Sequence, residues 1–258
     1  MPTIATPRPK ADLVAKNRID FLVAGVQKGG TNALHLLLAQ HPQIEMSIEK
    51  ELHFFDKPKF VHQESAYAEY HRMGWGVDGG LDDDVLYGES TPKYVLLQRN
   101  GASQYLQRIR QYNPAMKLIV LLRDPVDRAF SQWSMLRMNG SDVPPFEEIV
   151  DTFITTGMHE RDDIIRRGEY GRLAYNLMSL FPDDQICFVR VDDLNRQMQV
   201  FERFLGVAPH AFEYTRAYAT RYESTIPGDS AALLRSHYRR DLEIFQRLTG
   251  VDTDGWIV

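Results

Sequence analysis

The chain has 258 residues, 43% of them hydrophobic and 25% charged, with a formal net charge of −5. This is the composition of a globular α/β-sized domain, and it excludes a disordered chain and a whole-surface attraction to nucleic acid or anionic lipid. Any anion site must be built locally, and one domain over residues 1–258, with residues 1–19 as an N-terminal extension, is the expected organisation.

The opening stretch MPTIATPRPKADLVAKNRID holds no apolar run long enough for a signal peptide or a membrane span, so a cytoplasmic protein is expected. The first strand is expected over Phe21–Val26, followed by the turn GVQKGGT and a helix in which Leu34, Leu37 and Leu38 share one face before His41-Pro42 ends it. A strand, a glycine-rich turn and a helix in that order point several backbone N–H groups and a positive helix end at one place, which suits a phosphate or sulfate. Here the amides would be those of Gly29, Gly30, Thr31 and Asn32, and Lys28 adds a mobile charge. The ATPase loop G-x-x-x-x-G-K-[ST] is not matched, because counting from Gly25 puts Thr31 where its lysine belongs. The plain alternative is a structural turn with a solvated lysine.

Next comes IEKELHFFD, where Glu51 offers a carboxylate close to the turn and His53 a second titratable group. Taken alone, such a glutamate is usually solvated surface and such a histidine a packed residue. Residues 56–84, with GWGVDGG, read as irregular, and Asp82 to Asp84 read as a solvated turn. A short strand is expected at Val85–Tyr87, followed by STPKY with Ser90 and Lys93, and then a helix with Tyr105, Ile109 and Tyr112 on one face. The apolar run Lys117–Leu122 reads as a buried strand. After it, Asp124 suits a helix N-cap and Pro125 the first helical position, which leaves Arg123 at the strand's carboxyl end and Ser131 about two turns into the helix.

Arg123 can present a bidentate fork to a phosphate, or can simply pair with a neighbouring aspartate. Residues 139–168, with NGSDVPP, read as a second irregular stretch, and either stretch could border an acceptor pocket or be surface decoration. The last expected strand, Gln185–Val191, holds the lone Cys187, which has no disulfide partner and fits a reducing compartment. Alternating strands and helices give a doubly wound, P-loop-like sheet of mainly parallel strands, with ligands beyond the strands' carboxyl ends. Trp75, Tyr94 and Trp133 could stack on a sugar ring, although core packing is the commoner fate. The eight histidines lack metal-ligand spacing and no two-metal carboxylate cluster is evident, so no metal cofactor is expected.

Several of these stretches resemble one family. GVQKGGT resembles the 5′-phosphosulfate loop of the sulfotransferases that use 3′-phosphoadenosine 5′-phosphosulfate, and Arg123 with Ser131 eight residues later resembles their 3′-phosphate site. KELHFFD is similar to the K-E-V-H-F-F-D segment of the heparan sulfate sulfotransferase branch, and YGESTPKY to its G-E-K-T-P-A-Y. The stretches GEYGRLAYNLMSLFPDDQICFVRVDDL and LLRSHYRRDLEIFQRLTGVDTDGW also look like that family's later elements.

The resemblance implies the sulfotransferase fold and in-line transfer of a sulfuryl group to an acceptor hydroxyl, or less readily an amine, on a sugar, glycolipid or small metabolite. It implies Lys28 at the leaving phosphate, Glu51 as the base with His53 in support, and Arg123 and Ser131 on the 3′-phosphate. In RAYATRYESTIPG it implies a loop over adenine and the 3′-phosphate with Arg216, Arg221 and Tyr222, although the family's K-G signature is not evident there. Ser90 stands where the branch has an active-site lysine, and Lys93 follows three residues later. Either Lys93 serves by another route or that charge is missing. The alternatives are a small-molecule or nucleoside kinase and a non-catalytic nucleotide-binding protein. The implied partners are the donor and a small or carbohydrate acceptor, with no nucleic acid and no membrane span.

Overall fold

The computed structural model describes residues 16–78, 80–97, 103–213 and 225–257. Among the described residues, five strands form one parallel sheet: β1 (Phe21–Gly25), β2 (Ile44–Met46), β3 (Leu86–Ser90), β4 (Lys117–Leu122) and β5 (Ile186–Arg190), in the order β2-β3-β1-β4-β5. The helices are α1 (Thr31–Leu38), α2 (Glu64–Trp75), α3 (Gln104–Tyr112), α4 (Pro125–Met138), α5 (Phe146–Thr156), α6 (Asp163–Arg166), α7 (Tyr170–Leu180), α8 (Met198–Leu205), α9 (Gly228–Thr249) and α10 (Asp254–Ile257).

Because side chains alternate along a strand, each apolar run feeds two cores. Leu22, Ala24, Leu118, Val120 and Leu122 face α3, α4, α7 and α9, whereas Phe21, Val23, Ile119 and Leu121 face α1 and α8. The sheet is therefore doubly wound, as expected. From β1 the chain builds β2 and β3 on one side and then crosses to β4 and β5 on the other. The loops leaving β1 and β4 diverge to opposite faces, which opens a crevice beyond their carboxyl ends.

Several elements differ from the sequence expectation. The three-residue β2 is too short to show a periodicity and exists through its parallel pairing with β3, Ile44 opposite Leu86. The strand expected at Val85–Tyr87 runs over Leu86–Ser90 instead. It continues past Gly88 because a side chain there would lie 2.1 Å from the Phe21 ring, so only glycine lets β3 close on β1. The stretches read as irregular contain helices α2, α5 and α6, because the glycines and prolines that dominated the reading lie at their ends. On α3 the buried face is Leu106, Ile109 and Tyr112, with Tyr105 only half-buried. Trp75, Tyr94 and Trp133 all pack in the core and offer no stacking platform. Asp82 to Asp84 are exposed, and Cys187 is buried, which raises its thiol to about 12. Ahead of β1, Lys16 bridges to Leu81 and Ile19 is fully buried.

Candidate active site

The turn between β1 and α1 is held by two glycines for two different reasons. Gly30, the N-cap of α1, has φ of 92°, which favours glycine, and a side chain there would meet Val191 at 2.4 Å. Gly29 lies against the sheet, where a Cβ would sit 2.6 Å from the Leu121 carbonyl and 2.8 Å from that of Val26. Gly30 has no side chain to cap the helix, and no acidic residue occupies the first turn. The first-turn amides thus face outward with the positive end of the helix, as an anion cradle requires. Lys28 also adopts a left-handed backbone, φ 69°, and its Nζ lies 3.6 Å from the Met135 thioether on α4. A thioether is a weak acceptor and does not neutralise that charge.

The β4–α4 junction is built differently. Asp124 accepts from the amides of Val126 and Asp127 at 2.8 and 3.2 Å, and Pro125 takes the first helical position. Arg235 lies 3.3 Å from the other Asp124 oxygen. This helix end is thus filled by its own carboxylate, and an anion here must be held by side chains. Arg123 ends the strand with its guanidinium 3.5 Å from Asp127, while its carbonyl accepts from the Tyr170 hydroxyl at 2.7 Å. Ser131 lies inside α4 and is buried. The two junctions adjoin: Val26 N–H donates to the Leu121 carbonyl at 2.8 Å, and Arg123 is two residues beyond Leu121.

The third cluster hangs from the segment after β2. Phe54 and Phe55 anchor it in an aromatic core with Tyr70 and Tyr94, and the Tyr94 hydroxyl accepts from the Phe54 amide at 2.9 Å. That hydroxyl donates in turn to Glu89, a fully buried carboxyl that also accepts from Tyr70 and Thr91. Burial raises the Glu89 pKa against the opposing pull of these hydrogen bonds.

With the phenylalanines fixed, Glu51 and His53 adopt left-handed φ of 61° and 53°, strain of the kind that clusters at functional sites. Glu51 Oε2 lies 3.5 Å from His53 Nε2, and His53 Nδ1 lies 3.0 Å from Asp56 Oδ2. Lys93 Nζ reaches the same Asp56 oxygen at 2.8 Å, and Lys50 Nζ lies 3.3 Å from Glu51. Asp56 is buried, and its Oδ2 meets both His53 Nδ1 and Lys93 Nζ. The structure therefore joins Glu51, His53 and Lys93 in one chain through Asp56.

Ser90 is fully buried, 3.0 Å from Nδ1 of His35 on α1. Burial and nearby Lys50, opposed by a hydrogen bond to the Ser47 backbone, hold the His35 imidazole down to about 4, so it is neutral near pH 7. A relay that starts at a buried arginine also links the two junctions. The guanidinium of Arg128, fully buried, donates to Gln132 at 2.8 Å, and the Gln132 amide donates to Asp163 at 2.8 Å. Asp163 pairs with Arg167 at 3.2 Å, and Arg167 donates to the Gln27 side chain beside Lys28. Asp56 had a visible signal, three residues after His53. His35, Gln27, Arg167 and Glu89 had none, because their partners lie on other elements. Arg216, Arg221 and Tyr222 lie outside the described residues.

The family model of the sulfotransferase domain matches residues 18–215. The chain belongs to the sulfotransferase family. It is 28% identical over 272 residues to the mouse heparan sulfate glucosamine 3-O-sulfotransferase 3B1, covering 91% of this chain. It is 25% identical over 213 residues to the human bifunctional heparan sulfate N-deacetylase/N-sulfotransferase 2, covering 76% of this chain. The chain spans 64% of the length of the first relative and 23% of the second. A solved sulfotransferase from Alicyclobacillus acidocaldarius shares the fold, with a TM-score of 0.72 and 24% identity, covering 93% of this chain and 98% of that one. Membership of this family leaves the kinase alternative without support. Among the described residues of this sulfotransferase no helix is long and apolar enough to cross a membrane, and no group of three or more His, Cys, Asp or Glu could hold a metal ion.

Proposed function

We propose that this sulfotransferase transfers the sulfuryl group of 3′-phosphoadenosine 5′-phosphosulfate to a hydroxyl, or less readily an amine, of a carbohydrate or small-molecule acceptor. The observation that carries this reading is the adjacency of two unlike anion sites. The uncapped amides and Lys28 lie beside a strand whose end bears Arg123, with Leu121 touching both. One nucleotide phosphorylated at both ends fits that pair, and glycine at positions 29 and 30 lets the turn pack against Leu121, Val26 and Val191, which sets its amides at the helix end. When bound, the donor supplies the sulfuryl group and a bisphosphate leaving group.

The chain's own residues divide the rest of the work. The amides of Gly29, Gly30, Thr31 and Asn32 hold the 5′ end, and Lys28 offsets the negative charge that grows there, a contribution of about 10² to 10³ in rate for one such donor. Arg123 and Ser131 hold the 3′-phosphate. Glu51 takes the proton of the acceptor hydroxyl as the oxygen attacks. His53, with Nδ1 against Asp56, presents Nε2 to Glu51 as the next station for that proton. Lys93 pairs with Asp56 at 2.8 Å and so acts on the base through a neighbour, rather than as the lysine absent at position 90. The buried Cys187 supports a cytoplasmic setting, which cell fractionation would check.

The test is a thermal-shift comparison. Adenosine 3′,5′-bisphosphate at 100 times its Kd should stabilise the protein by about 2.7 kcal/mol, with ATP and magnesium giving less. A larger shift with ATP would sink the donor assignment. Glu51→Ala should keep the bisphosphate shift and lose sulfation, and retained sulfation would remove Glu51 from its role.

A further inference from the structure

A cavity of about 220 Å³, partly open to solvent, adjoins the site. Val26 and Gln27 form one wall, directly before Lys28, and Pro92 forms another, directly before Lys93. The Ser90 carbonyl, two residues ahead of Pro92, accepts from the Glu51 amide at 2.9 Å. The cavity is thus bordered by chain neighbours of the proposed cradle and of the segment that holds the proposed base, which makes it a place for an acceptor. Its lining decides what kind of acceptor.

The apolar part of that lining is Val26, Pro92, Val95, Leu96, Leu97 and Leu173. Its charged part is three arginines and three carboxylates that already satisfy one another. Arg166 pairs with Asp162 at 3.0 Å, Arg167 with Asp163 at 3.2 Å, and Arg172 with Glu169 at 3.1 Å. Burial works to raise the Glu169 carboxyl, but His237 and Arg172 hold it below its ordinary value, so it stays ionised. Among the described lining residues the formal charge sums to zero. A sulfated or uronate-bearing saccharide would find no surplus positive charge on these lining residues, and each anionic group would be desolvated at a cost. The cavity has room for a small ring system or a short chain between its apolar side chains. One polar need remains: Arg167 Nε–H is buried without a hydrogen-bond partner among the described residues, which a single oxygen on the guest would satisfy.

We infer that the acceptor is a small, uncharged alcohol or phenol with an apolar body, and not a polyanionic saccharide. This rests on the sulfuryl-transfer reading above. In the transfer, the acceptor oxygen forms the new O–S bond, its proton passes to Glu51, and the bond from sulfur to the bridging oxygen of the phosphate breaks, with that electron pair leaving on the bisphosphate. The probes are 2-naphthol and a heparan-type tetrasaccharide, each with the full-length protein loaded with adenosine 3′,5′-bisphosphate for binding and with the phosphosulfate donor for turnover.

2-Naphthol should raise Tm beyond the bisphosphate alone and be sulfated with a kcat/KM at least tenfold above that of the tetrasaccharide. Leu96→Trp, which fills the cavity from a half-buried position, should lower kcat/KM for 2-naphthol at least tenfold and leave the bisphosphate-induced shift unchanged, which also certifies that the variant folds. Preference for the tetrasaccharide, or no added shift from 2-naphthol in bisphosphate-loaded protein, overturns the inference and leaves the donor reading standing. Absence of any bisphosphate shift overturns the donor reading, and the acceptor inference falls with it.

Discussion

The two strand-to-helix junctions solve one problem by opposite means. At β1–α1 the helix end has no side-chain cap and two glycines bare the backbone, so the amides themselves are available to an anion. At β4–α4 the amides are taken by Asp124, so an anion there would be held by side chains, as proposed for Arg123 and Ser131. The lesson is that a helix N-terminus is a binding site only when the chain declines to cap it. In the proposed reaction the uncapped junction would hold charge that changes, and the capped one charge that does not.

Breaking the backbone cradle should have the largest effect. Gly29→Val would force branched carbon against the Leu121 and Val26 carbonyls, and we expect bisphosphate affinity to fall more than a hundredfold by calorimetry; wild-type affinity would refute the cradle. Lys28→Ala should lower kcat by about 10² to 10³ with a much smaller change in donor Kd, because its charge is needed most where negative charge develops. Equal losses in both would assign Lys28 to ground-state binding.

At the side-chain junction, Arg123→Ala should weaken adenosine 3′,5′-bisphosphate by about 10- to 100-fold, from a charged hydrogen bond of about 1.5 to 3 kcal/mol, and leave adenosine 5′-monophosphate almost unchanged. Identical losses for both nucleotides would move the 3′-phosphate elsewhere. His35, on the uncapped helix, gives the comparison a pH signature. Its imidazole stays neutral in the fold down to about 4, while in the unfolded chain it protonates below 6.5. Its contribution is therefore unchanged above 6.5, and stability falls as pH drops from 6.5 toward 4. Tm should decline by several degrees across that window and decline less in His35→Gln; an unchanged slope would show that other groups set it. The smallest effect is expected from Asp124→Ala, which removes a cap worth about 1 kcal/mol and should lower Tm by about 2 to 4 °C with turnover retained. A large loss of bisphosphate binding in that variant would erase the distinction between the junctions.

Both junctions were legible in the chain because their parts are consecutive. GVQKGGT carries its glycines and lysine within one turn, and RDP carries strand end, cap and first helical residue side by side. The segment KELHFFD was legible as a unit, although the role of Asp56 emerged only when Lys93 was found on the same oxygen. Helices α2 and α5 were missed because glycine and proline at their borders outweighed the periodicity between them.

The sequence by itself determined the parallel sheet, the glycine-rich turn after its first strand and the capped helix behind Arg123. Each depends on neighbours in the chain or on period. Only the tertiary structure decided that Gln27 is tied to Arg167, that His35 holds Ser90, that Lys93 reaches Asp56, and that three arginines beside the cradle are already neutralised. Those facts join residues distant in sequence, and whether a charge is free or spent depends on which partner the fold delivers within a few ångströms of it.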